Sequence, residues 1–200
     1  MARDNRNKQA RQTIALVGDG QTERIYFANV RDTDRPKNLS IFPDYPRKIG
    51  SYKGVLDRAH HLVGEGYDQV YALIDMDKII DENRLAEYRH NKTIAEQAGI
   101  RVLENNPCFE IWILLHFVQT GRLFANCGEV VTALRRIESF ENYDKSERFL
   151  TAAKLYERNK AQLTQSAITN ARLLENNRDD YDERYPRAET FRFFEWYFNQ

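Results

Sequence analysis

Five acidic side chains stand where backbone geometry can gather them: Asp19, Glu23, Asp75, Asp77 and Glu110. Asp19 follows the short apolar run 14–17 (IALV) and Asp75 follows 70–74 (VYALI). If both runs are parallel strands, their carboxyl ends open on one rim, where side chains distant in sequence meet. Asp75 and Asp77, two residues apart at a strand end, can direct carboxylates toward one cation, and Glu23 lies one helical turn beyond Asp19. Carboxylates held within a few ångströms repel one another and raise their own pKa unless a cation balances them. The cation that suits such oxygen donors is Mg²⁺ or Mn²⁺, which keeps some water, bridges to phosphate oxygens and activates an attacking water. Plainer roles compete: an Asp before a helix caps it, and a strand-end Asp-x-Asp is a common solvated turn.

Glu110 belongs to the segment 106–117, NPCFEIWILLHF. Asn106 as cap and Pro107 as first helical residue predict a helix start there. Residues 109–117 are apolar on nearly every face, so the helix should be buried, with Glu110 and His116 as its polar exceptions. A carboxylate inside an apolar helix is costly unless paired or bound to metal. Glu110 in the first turn also suits the helix dipole, and His116 reads better as a satisfied structural histidine.

The elements that must carry these groups alternate. Strands are predicted at 14–17, 39–42, 70–74 and 100–103, with a helix after the Gly18-Asp19-Gly20 turn running through Tyr26 and Phe27, and helices over 52–63 and over 84–97. That alternation predicts a mainly parallel sheet with helices on both faces. Beyond Asn106 the strand signal fades, and 109–118, 130–137, 152–176 and 190–198 read as helices. The expected organisation is an arm over 1–12, an α/β domain over 13–105 and a helical region over 106–200 packed on it.

Thirty basic and thirty acidic residues cancel, and 42% of the chain is hydrophobic. The chain should fold, and it has no whole-molecule field to draw in a polyanion. Nucleic-acid contact would therefore be local, with basic residues gathered at Arg3, Arg6, Lys8 and Arg11 and at Arg135 and Arg136; such runs are usually solvated surface. Cys108 and Cys127 are the only cysteines and make no metal-type pairing. With no signal-like apolar stretch at the start and no run of roughly 20 apolar residues, the expectation is a cytoplasmic protein without a membrane span.

Three stretches in order, 14–27 (IALVGDGQTERIYF), 70–77 (VYALIDMD) and 106–117 (NPCFEIWILLHF), resemble the RloB-like family. The resemblance implies a Toprim-like fold, found in metal-dependent nucleases, topoisomerases and primases, and a place in phage-defence loci, frequently beside an ATPase. It also implies that Asp19 stands in for a glutamate of the strand-to-helix turn, that Asp75 and Asp77 form the metal-binding Asp-x-Asp, and that Glu110 belongs to an Asn-Pro-x-Phe-Glu motif. Tyr143 and Lys145 resemble a downstream Tyr-x-Lys element, with Lys145 placed to contact a phosphate. The turn departs from the pattern, because Asp19-Gly20 follows Gly18 where a glutamate-glycine pair is usual. Either Asp19 performs the glutamate's role, or Glu23 does part of it, or cutting is lost and binding kept.

The leading expectation is a Mg²⁺- or Mn²⁺-dependent nuclease acting on DNA or RNA. Asp19, Asp75, Asp77 and Glu110 would be metal ligands, and Asp19, Glu23, Glu110 and Lys145 the catalytic groups. The alternative is a non-catalytic Toprim-like adaptor or sensor of a defence ATPase. Phosphotransfer on a small nucleotide ranks below both, since no P-loop or dinucleotide fingerprint is present. Self-association is left open.

Overall fold

The computed structural model describes residues 11–47, 50–178 and 182–200. Arg3, Arg6 and Lys8 lie outside the described residues. Strand β1 (Gln12–Val17) begins inside the interval expected to be arm.

Apolar, β-branched runs make the centre of a sheet because both of their faces find cover. β1 and β3 (Gln69–Asp75) pair in parallel, and β3 pairs in parallel with β4 (Ile100–Asn106). Strand β2 (Leu39–Asp44) lies outside β1, and its Pro43 is tolerated because an edge strand can lack a ladder donor. The order is β2-β1-β3-β4-β5, mostly parallel as expected, with the two-residue β5 (Arg187–Ala188) antiparallel to β4. Two residues carry no periodicity, which is why β5 was not expected and its segment read as helical surroundings.

Side chains alternate across the sheet. Ala15, Val17, Val70, Ala72 and Ile74 pack with Val55, Ala59 and Leu62 of α2 (Tyr52–Gly64) and Tyr88 and Ala95 of α4 (Leu85–Gln97). Ile14, Leu16, Tyr71, Leu73 and Leu103 face the other way, onto Tyr26, Phe27 and Val30 of α1 (Gln21–Asp34) and onto the C-terminal helices. The short α3 (Asp77–Asp81) follows β3 directly.

The C-terminal part holds α5 (Glu110–Leu114), α6 (Cys127–Leu134), α7 (Glu147–Ala153), α8 (Leu155–Gln162), α9 (Ile168–Asn176) and α10 (Thr190–Tyr197). The single helix expected over 152–176 is broken at Lys154, whose φ of 46° lies in the left-handed region, and again by a π-helical segment at Leu163–Ala167. Trp112 of α5 joins three helices: its Nε1 donates to Tyr26 Oη at 3.1 Å, and its ring stacks on Phe194 of α10. Asp34, at the end of α1, accepts from the Tyr156 and Tyr197 hydroxyls and from Lys160.

The expected helix start at Asn106 and Pro107 is corrected. Asn106 is the last residue of β4, the Asn106–Pro107 peptide is cis, and α5 opens only at Glu110. The Asn106 side chain is no cap; it donates to the carbonyls of Glu183 and Tyr185 and so holds the segment that leads into β5. The Pro107 carbonyl accepts from the Met76 and Asp77 amides, which welds the ends of β3 and β4 together.

On the α4 face, buried Glu104 accepts from Arg187 Nη1 at 2.6 Å, Lys92 Nζ at 2.8 Å and Tyr88 Oη at 3.0 Å. Burial alone would push its carboxyl up, and the two cations outweigh that and hold it below its ordinary value. Glu189 adds a carboxylate on the Glu104 amide, so the ladder to β5 is tied by side chains as well as backbone. Truncating one partner of a buried ionic cluster leaves charge uncompensated. Arg187→Met should therefore lower unfolding free energy by about 2–4 kcal/mol in a urea titration, whereas a loss within measurement error would show that Lys92 alone suffices.

Candidate metal centre

β1 ends at Val17, and Gly18-Asp19-Gly20 turns the chain into α1. A β-carbon at Gly18 would sit 2.4 Å from Glu23 Cβ and 2.9 Å from its Cγ. The bare backbone at Gly18 is what lets Glu23 fold back over the strand end, where the Asp19 amide reaches its Oε1 at 3.3 Å. Asp19 itself turns toward α2: its Oδ1 accepts from the Gly50 and Ser51 amides at 2.9 and 3.0 Å. The capping chemistry weighed for Asp19 thus serves the start of α2, while α1 has no side-chain cap.

Asp75 closes β3 and accepts the Phe109 amide on Oδ1 at 2.8 Å. Asp77 does not repeat its direction. Extended spacing ends at Asp75, Met76 is buried, and Asp77 has already entered α3, where its Oδ1 takes the adjacent Lys78 amide. Asp77 nonetheless lines the same cleft.

Glu110 is completely buried at the start of α5. Its Oε1 accepts from Tyr143 Oη at 3.1 Å and pairs with Lys145 Nζ at 3.0 Å. Tyr143 is held by an Arg135 Nε bond to its carbonyl. Asp144 and Ser146 fix the turn that carries Lys145 into α7. His116 is buried with Nδ1 2.9 Å from the Trp112 carbonyl, and burial drops its pKa to about 4. It is the structural histidine expected.

Asp19, Glu23, Asp75, Asp77 and Lys145 thus share one cleft of about 570 Å³, with Glu110 buried behind Lys145. Gln21, Thr22, Lys78, Arg84 and Cys127 also line it; the first four did not stand out in the sequence, and Cys127 did so only as one of two cysteines. Cys127 is bonded to Cys108, and its sulfur lies 3.1 Å from Glu110 Oε2 and 3.3 Å from Lys145 Nζ. The pairing carries no short motif, since the two cysteines stand 19 positions apart.

Electrostatics follow from crowding. Burial, then the charge of Glu110, pushes Glu23 up to about 7. Burial and the charges of Glu23 and Glu110 push Asp75 well above the carboxylate range. Asp19 is raised by burial in spite of its two amide partners. Lys145 shows the converse: burial would lower it, and Glu110, Asp75 and Glu23 together raise it.

A hard divalent cation fits this donor set. Five carboxylates outnumber the Lys145 and Lys78 ammoniums beside them, and neighbouring negative charge raises Glu23 and Asp75, which is the imbalance a divalent ion relieves. Among the described residues, the set of three Cys, His, Asp or Glu ligand atoms all within 4.8 Å of one another is Cys108, Glu110 and Cys127. No three of the described acids meet that spacing, so the carboxylates do not form a closed cage.

Fold and site together define an α/β protein with an acidic cleft at the carboxyl edge of a parallel sheet. The chain matches the RloB-like protein family over residues 14–193, most of its length, and belongs to that family. No curated protein and no solved structure matches it significantly. Among the described residues no helix is long and apolar enough to cross a membrane.

Two predictions follow from the crowding. Because Glu23 is protonated more readily in the fold than in the unfolded chain, its contribution is intact below about pH 4.5 and is lost as pH rises through about 7. In chelator, Glu23→Gln should melt higher than wild type at pH 8 and nearly level with it at pH 5, a difference on the order of 3 kcal/mol. Gly18→Ala should displace Glu23 and destabilise by about 1–3 kcal/mol in urea, with weaker Mn²⁺ binding by calorimetry; unchanged stability would mean that the turn relaxes freely.

Proposed function

We propose that this RloB-like protein is a divalent-cation-dependent nuclease with a Toprim-like site, hydrolysing phosphodiester bonds of DNA or RNA in phage defence beside an ATPase partner. The supporting observation is the convergence of Asp19, Glu23, Asp75 and Glu110 with Lys145 at the strand-end rim. Asp75, Asp19 and Glu110 would hold the cation, with Asp77 at the mouth of the cleft. Bound there, Mg²⁺ or Mn²⁺ supplies charge neutralisation at the phosphate and a more acidic water.

The chain's own groups do the rest. Glu23, half ionised near neutrality, takes a proton from the attacking water at its carboxylate. Lys145 stays cationic and steadies a non-bridging phosphate oxygen. Tyr143 keeps its proton, because burial and the Glu110 charge raise it, and so goes on orienting Glu110 by donation. Lys78 adds a cation on the lip of the cleft, where Arg84 is already paired with Glu82 and Glu87.

Purified protein, alone and with its ATPase partner, should cut DNA or RNA in Mg²⁺ or Mn²⁺ and stop in chelator. Asp75→Asn and Glu110→Gln should each reduce the rate roughly 100-fold. Lys145→Met should weaken substrate binding most at low salt. Absence of cleavage under every pairing would remove the nuclease reading. A second reading, a non-catalytic adaptor, is favoured by Lys145 being already paired and by Asp19 being committed to the α2 amides. It calls for a Mn²⁺-dependent rise in melting temperature, abolished by Asp75→Asn with Asp77→Asn, without any cutting.

A further inference from the structure

Cys108, in the turn before α5, and Cys127, the first residue of α6, meet on the wall of the acidic cleft, with Cα atoms 5.5 Å apart. They differ in access. Cys108 is fully buried, while Cys127 is part-exposed and lines the cleft. An exposed sulfur backed by a buried one is the arrangement in which the first exchanges with a solution disulfide and the second resolves the product. We infer that Cys108 and Cys127 form a reversible dithiol–disulfide site on the cleft wall, and that its redox state sets how freely Glu110 meets a cation. The second half of this inference rests on the metal-site reading above.

The exchange balances with a low-molecular-weight disulfide as oxidant. The Cys127 thiol gives its proton to water and its sulfur attacks one sulfur of the small disulfide; a mixed disulfide forms, and one small thiolate leaves and is protonated. Cys108 then loses its proton to water and attacks Cys127 Sγ, forming the Cys108–Cys127 bond and expelling the second small thiolate, which is protonated in turn. Two protein thiols are oxidised by two electrons, and the small disulfide is reduced to two thiols. An excess of small thiol runs the sequence backward.

Glu110 senses the change directly. Cys127 Sγ stands 3.1 Å from Glu110 Oε2 in the disulfide; a thiol at that place would donate its S–H to this oxygen, the one that Tyr143 and Lys145 leave unclaimed. The disulfide has no hydrogen to donate. Oxidation therefore frees Glu110 Oε2 and ties the start of α6 to the turn before α5.

The test uses the full chain in buffers of stepped reduced-to-oxidised glutathione ratio, with acid quench, maleimide mass-tagging of thiols under denaturing conditions, and parallel Mn²⁺ calorimetry. Two thiols should convert to none in one transition that does not depend on protein concentration. Cys108→Ser should take up one glutathione at Cys127, and Cys127→Ser should leave Cys108 unmodified in the folded state. Mn²⁺ should bind the disulfide form about three- to ten-fold more tightly, the scale of one weak hydrogen bond. Thiols that persist in excess oxidised glutathione, a disulfide that resists excess reduced glutathione, or intermolecular cross-links in place of the internal bond would overturn the redox site. Equal or inverted Mn²⁺ affinity would overturn its coupling to Glu110. Mn²⁺ binding to neither form would instead sink the metal reading and with it the coupling, while the thiol counts still decide the exchange site.

Discussion

Mutual repulsion among desolvated carboxylates is the constraint around which this protein is arranged. Glu23, Asp75 and Glu110 act on one another from three different elements, and each would be cheaper to leave in water. The fold opposes that cost with Lys145, the Tyr143 hydroxyl, the Phe109 amide and the paired amides ahead of α2. What remains uncompensated is the charge that the proposed cation would balance. Stability and function pull against each other here, as is usual where charge is concentrated for use.

The sheet supplies the rigidity that this opposition needs. β1, β3 and β4 are buried on both faces, so their carboxyl ends cannot drift apart under the repulsion they carry. Aromatic packing through Trp112, Tyr26 and Phe194 fixes α1, α5 and α10 against that sheet, which in turn fixes Glu23 and Glu110. The chain's later half, helical apart from β5, is thus part of the site's support: it contributes Tyr143 and Lys145 directly and the walls indirectly.

Much of this was legible in the residues. The apolar runs ending at Val17 and Ile74 located the strand ends, and an isolated carboxylate in NPCFEIWILLHF marked Glu110 as a group needing a partner. The details decided by tertiary contacts were not. Asn106-Pro107 carries a strong local helix-start signal, yet pairing with β3 and β5 extends the strand through Asn106. Asp-x-Asp spacing suggested a shared direction for Asp75 and Asp77, which holds only while the backbone stays extended, and α3 begins in between. Glu23's reach across Gly18 and the meeting of Cys108 with Cys127 depend on close approach between segments, for which a linear pattern holds no signal.

The pleat of β4 has a consequence for how damage spreads. Glu104 and Asn105 are neighbours that point to opposite faces, one into the ionic cluster with Lys92 and Arg187, the other beside Asp75 on the cleft side. A strand transmits sideways displacement through its backbone without any contact between the two faces. Changes at Lys92 or Tyr88, on the far side of the sheet, would accordingly reach the neighbour of Asp75 through the Glu104–Asn105 peptide.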